Sequence, residues 1–114
     1  MIPDLDLARV RNWIEGRNDS LPVDARNRIR FELELSDRAI TVLECRAPAA
    51  SQNGEAWTRS AVCRFRYTKV RKQWSLYWPD RHDKFHLYEL VEATPYIDSL
   101  MEEVSTDPAG IFWG

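Results

Sequence analysis

The middle of the chain carries basic and aromatic residues at a spacing that could bind an anion. Arg64 and Arg66 are two residues apart, and His86 and Tyr88 repeat that spacing on a later segment. If these segments are strands of one sheet, the side chains share a face, because alternate residues of a strand point the same way. Basic groups can then hold nucleic-acid phosphates while bases stack on the rings. The predicted binding residues are Arg64, Arg66, Tyr77, His86 and Tyr88.

A solvated sheet face explains the same pattern without any ligand. Arginine stems commonly pack over tyrosine rings while their charged ends stay in water. No recognisable RNA-binding signature accompanies the residues. The net charge of the chain is −2, whereas nucleic-acid-binding domains are usually basic. Both interpretations stay open at the level of the sequence.

Two histidines beside two aspartates raise the question of a metal or catalytic site. His82 and His86 have the i, i+4 spacing that brings two ligands together on a helix. Their segment instead predicts a turn followed by a strand, in which Asp80 and Asp83 stabilise the turn by bonding to their own backbone. We therefore predict no metal site here. An enzyme with a composite site near His82 and His86 remains a third functional hypothesis.

Cys45 and Cys63 are the only cysteines among the 114 residues. They form no CxxC motif and both fall on predicted core faces, where a thiol behaves as a small hydrophobe. The sequence also lacks a nucleophile elbow and a glycine-rich phosphate loop. We predict no catalytic residue and no cofactor, and therefore a binding or interaction module rather than an enzyme.

Charge is segregated along the chain. Residues 57–88 contain eight Arg and Lys residues against two Asp, whereas residues 89–114 contain six acidic residues and no Arg or Lys. One explanation is that the basic middle meets an anionic partner. The other is that an acidic helix lies in solvent near a basic sheet.

Five segments have the patterning of strands that would position these side chains. Residues 28–35 alternate between apolar and charged types, which predicts a strand with one buried face. A turn at 36–38 leads into a second strand over 39–46. Residues 47–56 form a loop rich in small and turn residues.

The second strand does not alternate cleanly. Ile40 and Val42 share one parity, whereas Leu43 and Cys45 share the other. A bulge near Val42 would bring both pairs onto the core face, because one extra residue reverses the alternation.

The segment 57–89 is predicted to form three strands of a meander, over 57–68, 74–78 and 85–89. Four-residue loops give apolar cross-strand pairs, which stabilise a sheet. The predicted pairs are Tyr67–Trp74, Phe65–Leu76, Cys63–Trp78, Trp78–Phe85 and Leu76–Leu87. This register places Phe85 and Leu87 in the core and leaves His86 and Tyr88 on the outward face.

Two amphipathic helices flank the strands. Residues 4–15 predict a helix that Asp4 or Asp6 caps and that Gly16 ends. A second helix is predicted to open at Thr94-Pro95, with Thr as its cap and Pro in the first turn. The apolar stripes are Leu7, Val10 and Ile14 in the first helix and Ile97, Leu100, Met101 and Val104 in the second.

These elements predict an α+β fold in a single domain over residues 1–114. Two helices have one sheet face to cover. The expected architecture is a five-stranded antiparallel sheet, built from a hairpin and a three-stranded meander, with the N- and C-terminal helices packed on one face.

Several segments resemble a bacterial family of small proteins whose function is unknown. The resemblance is carried by Trp57-Thr58-Arg59, Arg64-Phe65-Arg66-Tyr67, Trp74-Ser75-Leu76-Tyr77-Trp78, Tyr88 and Gly110-Ile111-Phe112-Trp113-Gly114. The W-x-L-Y-W strand and the G-I-F-W-G ending are its most specific parts, and the likeness covers nearly the whole chain. The resemblance implies a bacterial, stand-alone domain and supplies no activity, cofactor or catalytic residue.

Three large apolar residues, Ile111, Phe112 and Trp113, precede Gly114 in the C-terminal tail. Burying each such side chain is worth ~1.5–3 kcal/mol, so a position in water is unfavourable. The tail is expected to dock either onto its own chain or into a second copy. The second possibility gives the alternative function: a structural or protein-interaction subunit, a homodimer, that uses the exposed sheet or this tail.

The composition is that of a soluble globular protein, with 44% hydrophobic and 30% charged residues. No apolar run approaches the ~20 residues that span a bilayer. The first ten residues contain acids where a signal peptide needs a basic start. We therefore expect a cytoplasmic protein without membrane contact.

Overall fold

The fold is a five-stranded sheet flanked by two helices, described over residues 1–48 and 57–113 by a computed structural model. The elements are α1 (Asp4–Asp19), β1 (Ile29–Leu35), β2 (Ala39–Arg46), β3 (Thr58–Thr68), β4 (Gln73–Pro79), β5 (Phe85–Leu87) and α2 (Ile97–Thr106). The strands follow one another across the sheet, and every neighbouring pair is antiparallel. The predicted α+β class is therefore confirmed. Of the predicted loop 47–56, residues 49–56 lie outside the described residues.

Both helices pack on the same face of the sheet, which we call the inner face; the opposite one is the outer face. The predicted apolar stripes of α1 and α2 join one buried cluster with the inward side chains of the strands. Two indole N–H groups fix the helices: Trp13 donates to Ser105 Oγ at 3.0 Å, and Trp74 donates to Asp6 Oδ2 at 2.9 Å. Neither α1 nor α2 has both the length and the apolar character needed to cross a membrane.

The predicted bulge lies near Val42 but belongs to β3 rather than β2. Val62 of β3 has no partner in β2, and the register shifts beside it. Because β2 pairs with β1 without interruption, Leu43 and Cys45 keep their own parity and lie on the outer face. The prediction that these two residues face the core was wrong, although both are buried.

The hairpin of β4 and β5 differs from the prediction by one residue. Trp78 lies opposite His86 rather than Phe85. A slip of one residue reverses the faces of a whole strand. Phe85 and Leu87 are therefore on the outer face, and the prediction that they face the core was wrong.

The extra residue lies in the turn, which has five residues, 80–84, instead of four. The backbone N–H of Asp80 donates to the Lys84 carbonyl at 2.8 Å and so closes the turn. Asp83 takes a left-handed backbone with φ 61°. The Asp80 carboxylate accepts the N–H groups of His82 and Lys84 at 2.8 and 3.0 Å, which stabilises the longer turn.

The helix α1 runs past Gly16 to Asp19, and Gly16 has no left-handed backbone, so the prediction that it ends the helix was wrong. The added turn positions Asn18, whose side-chain amide bonds to both backbone groups of Phe31 in β1, at 2.8 and 2.9 Å. This tertiary pairing outweighs the low helix propensity of glycine. At the other end, neither Asp4 nor Asp6 caps the helix.

The helix α2 begins at Ile97, later than predicted, because Thr94 is used by the sheet. The backbone N–H of Thr94 donates to the Trp74 carbonyl at 2.9 Å, and the Thr94 carbonyl accepts the Trp74 N–H at 2.7 Å. This pairing needs an extended backbone, which the following proline also favours. The Thr94 hydroxyl accepts the N–H of Tyr96 instead of capping the helix.

The C-terminal tail docks onto its own chain, one of the two predicted positions. Phe112 is buried, and Trp113 Nε1 donates to the Val104 carbonyl of α2 at 2.7 Å. The guanidinium of Arg17 lies 3.4 Å from the centre of the Trp113 ring. Gly114 lies outside the described residues.

Candidate anion-binding site

A cleft of about 490 Å³ opens on the outer face, where the β1–β2 turn meets β3, β4 and the start of β5. Its size is within the range of small-ligand sites. We call it the arginine cleft; it is lined by Ser36, Arg38, Ala39, Arg64, Arg66, Tyr77 and Phe85. The sheet register assembles it, because residues that face each other on neighbouring strands share a side of the sheet. Arg66 lies opposite Ala39 on one side, and Arg64 lies opposite Tyr77 on the other.

Arg64 is held in place by two contacts. Its Nε donates to the Thr41 hydroxyl at 2.8 Å, on the strand next to it. Its guanidinium carbon lies 3.8 Å from the centre of the Phe85 ring, a cation–π contact. These contacts fix the terminal nitrogens of Arg64 in position, and no residue in the described part of the chain forms a hydrogen bond with them. Such a pre-positioned guanidinium loses little conformational entropy when it binds an anion.

The arginine cleft is strongly cationic. Three arginines line it, and within the part of the chain that the structure describes no carboxylate does. Among the same residues, Arg64 and Arg66 form no ion pair, and Arg38 has only a 3.8 Å contact with the exposed Asp37. An exposed pair of this kind contributes little energy. The cleft therefore carries positive charge that the described residues do not neutralise.

In the other half of the outer face, a carboxylate offsets part of the positive charge. Glu32 forms ion pairs with Arg30 at 2.7 Å and with Arg59 at 3.1 Å. The guanidinium of Arg30 also lies 4.2 Å from the centre of the Trp57 ring. Arg59 and Arg66 are thus on the same strand and the same face, but among the described residues only Arg59 has an acidic partner. This contrast sets the arginine cleft apart from an ordinary solvated face.

Neither cysteine has the electrostatic environment of a nucleophile. Burial, and then the nearby carboxylate of Glu32, raises the pKa of the Cys45 thiol. Burial alone raises the pKa of Cys63 far above its usual range. Because the thiolate is the reactive form, both thiols are suited to packing.

Three of the five predicted binding residues meet at the arginine cleft, and two do not. Arg64, Arg66 and Tyr77 line it. Tyr88 is buried on the inner face, where its hydroxyl donates to Glu103 Oε2 at 2.7 Å. Burial and this bond raise the pKa of Tyr88 to about 12. His86 lies beside Trp78 and is also away from the arginine cleft. The predicted positions of Tyr88 and His86 were both wrong because the β4–β5 register differs from the prediction by one residue.

The sequence interpretation missed Arg38 and Phe85. Arg38 lies in the turn before β2, and its carbonyl accepts the N–H of Tyr67, which brings the turn beside Arg66 on β3. The predicted strand bounds already place this turn at the end of β3, so Arg38 could have been found. Phe85 could not, because its face depends on the exact length of the 80–84 turn.

His86 and Asp80 form a pair at the end of β5. The ring Nε2 of His86 donates to Asp80 Oδ2 at 2.8 Å. That bond, followed by the backbone N–H of Lys84, lowers the pKa of Asp80 to about 2. His82 is exposed in the turn. In residues 1–48 and 57–113, no group of three or more His, Cys, Asp and Glu residues could hold a metal ion.

Fold and cleft together define a small two-layer α+β protein with a cationic pocket on the open face of its sheet. The chain belongs to the family described as "Domain of unknown function (DUF3024)", whose model matches residues 2–114. This confirms the predicted membership of an uncharacterised family, while the bacterial origin stays a prediction. No curated protein and no solved structure is significantly similar to the chain.

Proposed function

We propose that this protein binds a phosphate-bearing anion in the arginine cleft. One observation carries the proposal: Arg38, Arg64 and Arg66 surround a cleft that contains no carboxylate from the described residues. Like charges brought together on a folded surface repel one another. An anion in the cleft would remove that repulsion and so would be bound.

Phosphate is the anion that suits these side chains best. The guanidinium presents a planar fork of donors that matches two oxygens of a phosphate or carboxylate, and several forks favour the ion with more oxygens and more charge. Tyr77 also lines the cleft, and its hydroxyl supplies a further donor. The apolar ring of Phe85 holds one of the guanidinium groups in place.

The alternative function, a homodimer formed through the C-terminal tail, has less support. Phe112 is buried in its own chain, and Trp113 is bonded to α2 and covered by Arg17. The tail is therefore occupied. The cytoplasmic location proposed from the sequence agrees with two buried cysteines that form no disulfide.

The proposal is tested by titrating the protein with tripolyphosphate at low ionic strength in a calorimeter. We expect saturable binding that weakens as salt screens the charges. Arg66→Gln should weaken binding about tenfold or more, since a bond to a charged group is worth ~1.5–3 kcal/mol. Arg64→Gln should have an effect of the same order.

Arg59→Gln is the matched control, because Arg59 is an exposed arginine on the same strand and face that is paired with Glu32. Its tripolyphosphate affinity should stay within about twofold of the wild type, as expected for a charge outside the site. Equal losses in Arg59→Gln and Arg66→Gln would show diffuse attraction to a basic surface and contradict a defined site. Undetectable binding to the wild-type protein would contradict the proposal altogether.

A further inference from the structure

A second cleft, of about 720 Å³, adjoins the arginine cleft and shares one residue with it. We call it the edge cleft, because it lies along the free edge of β5, next to the C-terminal tail. Phe85 lines both clefts. A ligand anchored by a phosphate in the arginine cleft could therefore pass Phe85 and turn around the edge of β5 into the edge cleft, where Trp78 and His86 lie on the inner face.

The edge cleft offers flat and apolar surfaces. The rings of Trp78 and His86 lie 4.8 Å apart and are inclined by 30°, and the His86 side chain is 48% exposed. The bond from Nε2 to Asp80 fixes the plane of the imidazole. Leu87, Leu90 and Ile111, which line the same cleft, are also unusually exposed for large aliphatic residues. Planar rings and aliphatic side chains of this kind suit the faces of a nucleobase.

The backbone of β5 adds hydrogen-bonding groups to the edge cleft. The N–H of Tyr88 donates to Leu76 at 2.8 Å, and the Lys84 carbonyl accepts from Asp80. In an antiparallel pair the backbone groups of alternate residues point toward the partner strand. Those of Phe85 and Leu87 consequently point away from β4, toward the edge cleft, and present donors and acceptors in alternation. The hydrogen-bonding edge of an unpaired base requires both donors and acceptors from the protein.

We propose that the edge cleft binds a nucleobase while the arginine cleft binds the adjoining phosphates, so that the ligand is single-stranded nucleic acid. This inference rests on the proposed function and names its ligand class. A duplex does not fit the arrangement, because its bases are stacked and paired, whereas single strands can turn a base outward. A second chain pairing with the edge of β5 is the competing occupant of this surface.

The experiment compares two probes of equal length by fluorescence anisotropy: a single-stranded oligonucleotide and an abasic strand with the same sugar–phosphate backbone. The wild-type protein should bind the base-containing strand about tenfold more tightly, since stacking one base is worth ~1–3 kcal/mol. His86→Ala should remove most of that preference and leave tripolyphosphate affinity unchanged. His82→Ala is the matched control, because His82 is an exposed histidine of the same hairpin that lies outside both clefts.

A measurement on the wild-type protein keeps the test independent of whether the variants fold. A nucleoside monophosphate should shift the NMR amide signals of Leu87 and Leu90, which line only the edge cleft, in addition to those around Arg66, whereas inorganic phosphate should shift only the latter. Equal affinity for the two strands, with tripolyphosphate still bound, would overturn this inference and leave the proposed function standing. A dimer that forms through the β5 edge and that Leu87→Lys dissociates would also overturn it.

Discussion

The carboxylate of Asp107 accepts the backbone N–H of Trp113, with 3.0 Å between Oδ2 and the amide nitrogen. The same carboxylate accepts the N–H groups of Ile111 and Phe112 through Oδ1, at 2.9 and 3.1 Å. Asp107 ends α2 in a left-handed conformation with φ 45°. One carboxylate therefore accepts three consecutive backbone N–H groups of the tail and holds the tail folded back onto the rest of the chain.

Asp107→Asn should destabilise the protein. Asparagine tolerates the left-handed backbone, but it replaces one accepting oxygen with a donor and removes the charge. We expect the free energy of unfolding to fall by about 1–3 kcal/mol, the cost of leaving a buried amide without its charged partner. Urea unfolding followed by tryptophan fluorescence measures the change.

Glu102→Gln on the exposed side of α2 is the control and should change stability little. Removing residues 111–114 should cost more than Asp107→Asn, because it also removes the buried Phe112, whose loss alone is worth about 3–5 kcal/mol. The Asp107→Asn variant and the truncated protein should both keep the oligomeric state of the wild-type protein. A truncated protein of unchanged stability would refute the docked position of the tail.

The Asp107 interaction also predicts how stability depends on pH. Burial raises the pKa of Asp107, but the bonds from Trp113, Phe112 and Ile111 outweigh it and bring the pKa below its usual value. A lowered folded pKa means that the ionised form stabilises the fold. This contribution is complete above the unfolded pKa of about 3.9 and is lost as the pH falls through the lower folded value.

Urea unfolding at a series of pH values tests this. The stability difference between the wild-type protein and Asp107→Asn should be constant from neutral pH to about pH 5 and should shrink below pH 4. A difference that stays constant to pH 2 would show that the ionisation of Asp107 is not linked to folding.

The element order, the helix faces and the β3–β4 register follow from the sequence because each rests on local patterning. The apolar stripe Ile97, Leu100, Met101 and Val104 is buried as its spacing predicts. The sequence predictions were wrong where one additional residue reverses the face of the sheet on which the side chains of a strand lie. The β4–β5 register depends on whether the turn has four or five residues, and the bonds of the Asp80 carboxylate stabilise the five-residue turn.

Prediction of the candidate site from the sequence depends on the same strand registers and turn lengths. Arg64, Arg66 and Tyr77 share a face because the β3–β4 pairing follows from aromatic matching, for example Tyr67 opposite Trp74. Phe85 enters the site only through the five-residue turn. Among residues 1–48 and 57–113, Arg59 has an acidic partner and Arg66 has none; this depends on where Glu32 lies across two strands, and no local pattern in the sequence predicts it.

At helix ends, the local conformational preference of a residue competes with its tertiary contacts. Two glycines, Gly16 and Gly110, allow this competition to be tested. Gly16 lies inside α1 without a left-handed backbone, and a Cβ there would meet nothing within 4 Å. Gly110 also has open space around a Cβ, but its φ is +67°. Space is equal at the two sites, so the backbone conformation alone should set the sign of the effect.

Gly16→Ala should therefore raise the free energy of unfolding by about 0.5–1 kcal/mol, because alanine loses less backbone entropy in a helix. Gly110→Ala should lower it by about 1–2 kcal/mol, the cost of a left-handed backbone for a residue with a Cβ. Thermal and urea unfolding of the two single variants and the double variant measure both effects. The sites lie on different elements, so the double variant should show the sum. A destabilising Gly16→Ala would mean that α1 does not continue through residue 16, and the pairing of Asn18 with Phe31 would then have to be abandoned.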